Sequence, residues 1–238
     1  AWLGKRDVNK VWGALQDPDK YVVVQIPPTV SVSLAEEFNI RFGKELDELL
    51  VATLRRMGFN KVFKTAFAAD IMLIQMAEEL IDRMEKNERL PILSSNCPAF
   101  VKYIEQTYPD LIPNLSVIKS PQPIMGSLVK HHFAKDQKVK AEKIFSVSLM
   151  PFTAVKFEAS REEFTHKGNS DIDVTLTTRE LARMIRLYGL NIQQLAPEVS
   201  DTPFVIRTSA SKIIGTSGGL AEALYRTLYY KLTGKQLI

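Results

Sequence analysis

Six residues, Tyr21-Val22-Val23-Val24-Gln25-Ile26, restrict the folds open to this chain most. The run is β-branched and almost continuously apolar, and Pro27-Pro28 closes it. An apolar run without alternation reads as a strand buried on both faces. Such a strand needs neighbouring strands beside it and helices above and below. Parallel sheets in α/β proteins supply that setting, because each crossover lays a helix on a sheet face.

The rest of the chain alternates accordingly. Leu46, Leu49, Leu50 and Leu54 share one helix face, and Gly58 stops that helix. Lys61-Val62-Phe63-Lys64-Thr65 reads as a second strand. Residues 68–86 form an amphipathic helix with Ile71, Ile74, Leu80, Ile81 and Met84 on its apolar side. Leu90-Pro91-Ile92-Leu93 reads as a short third strand leading into Ser94-Ser95-Asn96-Cys97, and Pro98 starts a helix through Tyr108. After a Pro-punctuated connection, residues 109–123, come a helix near 124–133, strands at 144–149 and 174–177, and a helix at 178–187. Strands alternating with helices predict an α/β fold with mostly parallel sheets flanked by helices. The Pro-rich connection suggests two α/β halves within a single 1–238 domain, lobe one about 20–110 and lobe two about 120–238.

Composition narrows the function classes. Hydrophobic residues make up 45% and charged residues 24%, and no apolar run reaches the length of a membrane span. The chain opens on Ala1 without a visible signal peptide, so a cytoplasmic location is expected. A single cysteine excludes an internal disulfide framework and any self-contained site built from several thiolates. Net charge is +4 with dispersed basic residues. The densest cluster, Lys135, Lys138, Lys140 and Lys143, reads as a solvated face, and no nucleic-acid partner is expected.

Four stretches carry the chemistry. Cys97 faces a helix N-terminus, where backbone N–H groups and the helix dipole favour a thiolate. A buried structural cysteine in a tight turn is the other reading. Ser116 precedes Ser120-Pro121-Gln122, a capped helix start. Met150-Pro151-Phe152-Thr153-Ala154-Val155-Lys156-Phe157-Glu158 follows a strand end. Gly215-Thr216-Ser217-Gly218-Gly219 opens the last helix, and without a P-loop lysine it reads as helix-entry geometry. His131 and His132, beside Lys130, read as surface residues. Glu79 falls among apolar positions and is expected to point inward, where a carboxyl suits proton handling.

In this order, these stretches resemble the catalytic domain of the iron-only (FeFe) hydrogenases. That family carries Thr-Ser-Cys-Cys-Pro, Ser-Pro-Gln, Met-Pro-Cys-Thr-x-Lys-Lys-x-Glu, Gly-x-Thr-Gly-Gly and a closing Cys-rich segment. The resemblance covers nearly the whole chain and implies a cofactor, the H-cluster, in which four cysteines hold a 4Fe–4S cubane joined to a two-iron site. Here only Cys97 keeps a cubane-ligand position. Phe152 replaces the second ligand, and the Cys-rich segment is not matched. Asn96 replaces the proton-relay cysteine, and Val155 replaces a lysine that binds a cyanide of the two-iron site. Glu79 and Ser116 match proton-path positions, Met76 stands where a further Glu is expected, and Gln122 and Glu158 are retained.

The departures imply a pocket released from its chemistry on a retained scaffold. Phe152 is expected to be buried and to fill the vacated space. The expected function is a non-catalytic hydrogenase-like subunit, structural or regulatory, in a redox or electron-transfer complex, with no cofactor in the isolated chain. The alternative is part of an active iron hydrogenase whose remaining 4Fe–4S and H-cluster ligands lie on a partner chain or an unseen C-terminal segment. The expected partners are other subunits of such a complex or further copies of this chain. Leu220, Leu224, Leu228 and Leu232, with Tyr225 and Tyr229, give the last helix an apolar stripe suited to that association.

Overall fold

The computed structural model describes residues 7–41, 46–166 and 168–237. The opening residues, where no signal peptide was expected, lie outside that range. The helices are α1 (Val8–Gln16), α2 (Pro28–Glu37), α3 (Asp47–Arg56), α4 (Ala66–Lys86), α5 (Pro98–Thr107), α6 (Pro121–Leu128), α7 (Ala134–Asp136), α8 (Ala154–Ala159), α9 (Thr178–Tyr188), α10 (Ala210–Ile213) and α11 (Gly219–Thr233). The strands are β1 (Tyr21–Ile26), β2 (Lys61–Lys64), β3 (Ile144–Met150), β4 (Thr165–His166), β5 (Asn169–Ser170) and β6 (Val174–Thr177). Among the described residues, no helix is long and apolar enough to cross a membrane.

Two compact units emerge, each drawn from separated stretches. Unit 1 takes the chain up to Thr65 and Met125–Ile206; unit 2 takes Ala66–Ile124 and the chain from Arg207. One crossing, Ile124 to Met125, falls at the end of the Pro-rich connection, but the units interleave in sequence and are not two consecutive halves. The reason is strand pairing: β1 and β2 join β3 and β6 in one parallel sheet, ordered β2-β1-β3-β6. Tyr21 pairs with Ile144, and Val24 with both Val62 and Val147. Unit 2 is helical, with one isolated bridge between Leu93 and Leu115.

In unit 1, alternation across the pleat sorts the sheet. Val22, Val24, Ile26, Val62, Val147, Leu149, Val174 and Leu176 join a core with residues of α1, α2, α3 and α9. The opposite face carries the buried polar Gln25, Ser148 and Thr175 in adjacent registers, together with Phe63. Phe63 meets Phe133 and Phe204 edge-on at 5.2 and 5.1 Å. A π-helical turn, Val129–Phe133, follows α6 and buries Lys130, which pairs with Asp173 at 2.8 Å. Lys130 is therefore not a marker of a surface helix, and His131 stacks edge-to-face on His166.

The outer edge of β2 is closed by an irregular strap. Asp201 donates its N–H to the Val62 carbonyl and accepts the Val62 N–H on its carboxylate, both at 2.9 Å. Lys61 and Arg55 grip the same carboxylate at 2.9 and 3.0 Å. Burial works to raise the Asp201 pKa, but Lys61, the Val62 amide and Arg55 hold it below the ordinary carboxylate value.

In unit 2, α4 packs against α10 and α11. Its buried side is Ala69, Met72, Leu73, Met76, Ala77 and Arg83, while Ile74 and Met84 are exposed. Of the expected apolar side, Ile71, Leu80 and Ile81 are half-buried, so the expectation holds only in part. Apolar residues ring this helix, so periodicity alone does not select a face. The stripe on α11 is only partly covered: Ala223 is buried, Leu220, Leu224 and Leu228 are half-buried, and Tyr225 and Leu232 are exposed. Gly219 lies so close to the Ile213 carbonyl that a Cβ there would collide with it, so this glycine turn serves helix packing.

Candidate functional site

Each unit contributes motif residues. In unit 1 the strand order places β1 between β2 and β3, so connections from the sheet diverge at the carboxyl ends of β1 and β3. Open α/β sheets place ligands at such a switch point. The residues there are Pro27-Pro28 and the turn Pro151-Phe152-Thr153, which leads into α8. Val155 and Glu158, one helical turn apart on α8, are both buried to 4% exposure. Phe152 is 43% exposed, which overturns the expectation of a buried ring. The reason is local: β3 ends at Met150, and the whole turn from Pro151 to Thr153 stands exposed. Lys156, beside Val155, reaches Glu180 at 2.7 Å and Asp7 at 3.2 Å. Glu180 is also committed to a reciprocal capping box with Thr177 at the start of α9.

In unit 2, Cys97 is the N-cap residue of α5 in extended conformation, with Pro98 as the first helical residue. It is exposed, which removes the buried-structural reading. The expected strand before it does not form. Leu90 and Pro91 are exposed, Pro91 has no N–H to offer a ladder, and only Leu93 pairs, with Leu115. The sheet switch point is therefore at the Phe152 turn, and Cys97 belongs to a loop before a helix. Asn96 is half-buried; Gln122 and Ser120, at the start of α6, are buried.

Glu79 points inward as expected, but it is ion-paired. One of its oxygens accepts from Arg83 Nη2 at 2.6 Å and from the Val117 N–H at 3.1 Å. The other accepts a short hydrogen bond from Ser116 Oγ. Arg83 also donates to the carbonyls of Arg89, Asn114 and Leu115 at 3.2, 3.2 and 2.8 Å. Glu79 and Arg83 side chains are 10% and 7% exposed. Met76, at the further path position, is buried. Sequence reasoning missed Arg83. Its signal was the Glu-x-x-x-Arg spacing, which puts the two charges on one helix face.

A 4Fe–4S cubane takes four thiolates. This chain has one cysteine, and where the resemblance implies a second cubane cysteine and a lysine it carries the aromatic ring of Phe152 and the isopropyl group of Val155. Among the described residues no three His, Cys, Asp or Glu side chains gather to hold a metal. The residues present do not fit the cluster.

Comparison with known proteins places the scaffold. A parallel-sheet α/β protein with a strand-end turn and a cysteine at a helix N-cap position is the class defined by fold and site. The family model "Iron only hydrogenase large subunit, C-terminal domain" matches residues 20–238. This chain belongs to that family. It is 40% identical to the NADP-reducing hydrogenase subunit HndD of Solidesulfovibrio fructosivorans, over 94% of this chain and 39% of that protein. It is 35% identical to the cytosolic Fe-S cluster assembly factor narfl of Xenopus tropicalis, over 90% of this chain and 47% of that protein. Among solved structures, apo FeFe hydrogenase HydA1 from Chlamydomonas reinhardtii matches with a TM-score of 0.84 at 34% identity, covering 96% of this chain and 60% of that one. The chain thus spans less than two thirds of each of these relatives.

Proposed function

We propose that this is a non-catalytic member of the hydrogenase-like family, acting in the cytoplasm as a structural or regulatory subunit of a redox or electron-transfer complex. The donor set carries this reading: one thiolate, with Phe152 and Val155 where the resemblance implies a cysteine and a lysine. Similarity to proteins named as cytosolic Fe-S assembly factors supports it, since this fold serves proteins not named as hydrogenases. The exposed Tyr225 and Leu232 on α11 support association with another subunit or with a second copy.

The test is iron analysis and EPR on the purified chain after attempted cluster reconstitution, with a hydrogen-evolution assay. The expected result is no stoichiometric four-iron binding and no turnover. Stoichiometric cluster binding with hydrogen evolution, by the chain alone or with a co-purified partner, would sink the reading and favour an active hydrogenase completed by ligands from elsewhere.

A further inference from the structure

We infer that Glu79, Arg83, Ser95 and Ser116 form one clasp that positions the Cys97 turn, so the two retained proton-path positions have structural work here. The chain of contacts is continuous within unit 2. Arg83 and Glu79, four residues apart on α4, together grip segment 114–118 by its carbonyls, the Val117 N–H and the Ser116 hydroxyl. That segment in turn holds the loop before Cys97. The Leu93 N–H donates to the Asn114 carbonyl at 2.8 Å, and the Ser116 N–H donates to the Leu93 carbonyl at 2.7 Å. Ser95 Oγ, two residues from Cys97, donates to the Ser116 carbonyl at 2.7 Å and lies 3.2 Å from that of Ile118.

The hydrogen-bond inventory of Ser116 fixes the reading. Its single hydroxyl proton goes to Glu79, and the oxygen accepts the Ile118 N–H at 3.2 Å. Both Glu79 oxygens are occupied by groups that hold backbone in place. A carboxylate used this way is a fixed acceptor, and Met76 beside it on α4 offers no proton site onward. The clasp explains why Glu79 and Ser116 remain although Asn96, Phe152 and Val155 have replaced the reactive residues. Arg83, Glu79 and Ser95 are positioning residues: they act on Cys97 only through the backbone that carries it.

The clasp stands independently of the proposed function, and its test reads neither iron nor hydrogen. Cys97 is the sole thiol of the 238-residue chain, so a nitroxide attached there reports on this turn alone. Ser95→Ala removes one joint without stranding a charge. It is expected to raise nitroxide mobility and to speed amide exchange across residues 93–97 about tenfold, with the circular-dichroism melt unchanged. Ser95→Thr keeps the hydroxyl and restores wild-type behaviour. Glu79→Gln is expected to produce the same local loosening; if that variant fails to fold, Ser95→Ala decides alone. Wild-type mobility and exchange in folded Ser95→Ala would overturn the inference.

Discussion

Replacing Arg83 with Ala would strand the Glu79 carboxylate at 10% side-chain exposure and release carbonyls of the 113–118 segment. Removing one member of a buried, hydrogen-bonded ion pair costs about 3–5 kcal/mol. Urea unfolding of Arg83→Ala should show a loss of that size, visible as a lower midpoint. Phe152 behaves in the opposite way. A ring that is 43% exposed has little cavity to leave behind, so Phe152→Ala should cost under about 1 kcal/mol. A loss several times larger would mean that the ring is covered in solution. Asp201 adds a pH signature. Its lowered pKa means the strap is stabilised above the ordinary carboxylate range, and the contribution fades as pH falls through the lowered value. The melting-temperature gap between wild type and Asp201→Asn should therefore be full at pH 7, begin to shrink below about pH 4, and close only once pH falls below the lowered value. A gap that does not shrink at all on acidification from pH 7 would show that Asp201 does not stabilise the strap through its charge.

Among the elements, α6 approaches the loop after β5 at Gly126, where a Cβ would collide with the Asp171 carbonyl and the Ile172 side chain. Backbone cannot yield as a side chain can, so Gly126→Ala should destabilise by about 1–3 kcal/mol in thermal or urea unfolding. Elements with strong local determinants were legible beforehand. The run Tyr21–Ile26 forms β1 to the residue, and the capping box made by Thr177 and Glu180 starts α9 where expected. Elements set by tertiary contact were not. Leu90–Leu93 is apolar enough for a strand but finds a partner only at Leu93. The buried side of α4 is chosen by α10 and α11, which are distant in sequence. At the site, the motif positions could be read directly, whereas the exposure of Phe152, the Arg83 grip and the Lys156 link to Asp7 and Glu180 depend on the fold.

For the whole molecule, the donor set limits what single-site repair can do. The triple variant Asn96→Cys, Phe152→Cys and Val155→Lys should evolve no hydrogen after cofactor loading. It would still present too few thiolates for a cubane, and a metal site also depends on its supporting contacts. Turnover above a metal-free control would revive the hydrogenase alternative. The interleaving of the two units has a consequence for how the chain is made. Tyr21 must wait for Ile144, and Val62 for Asp201, before the sheet has its middle and its sealed edge. During translation, β1 and β2 can pair with each other but leave the ribosome long before β3, β6 and the Asp201 strap do, with α4 and α5 emerging in between. A nascent chain held in that state exposes bare strand edges, a setting in which premature pairing and chaperone capture compete with folding.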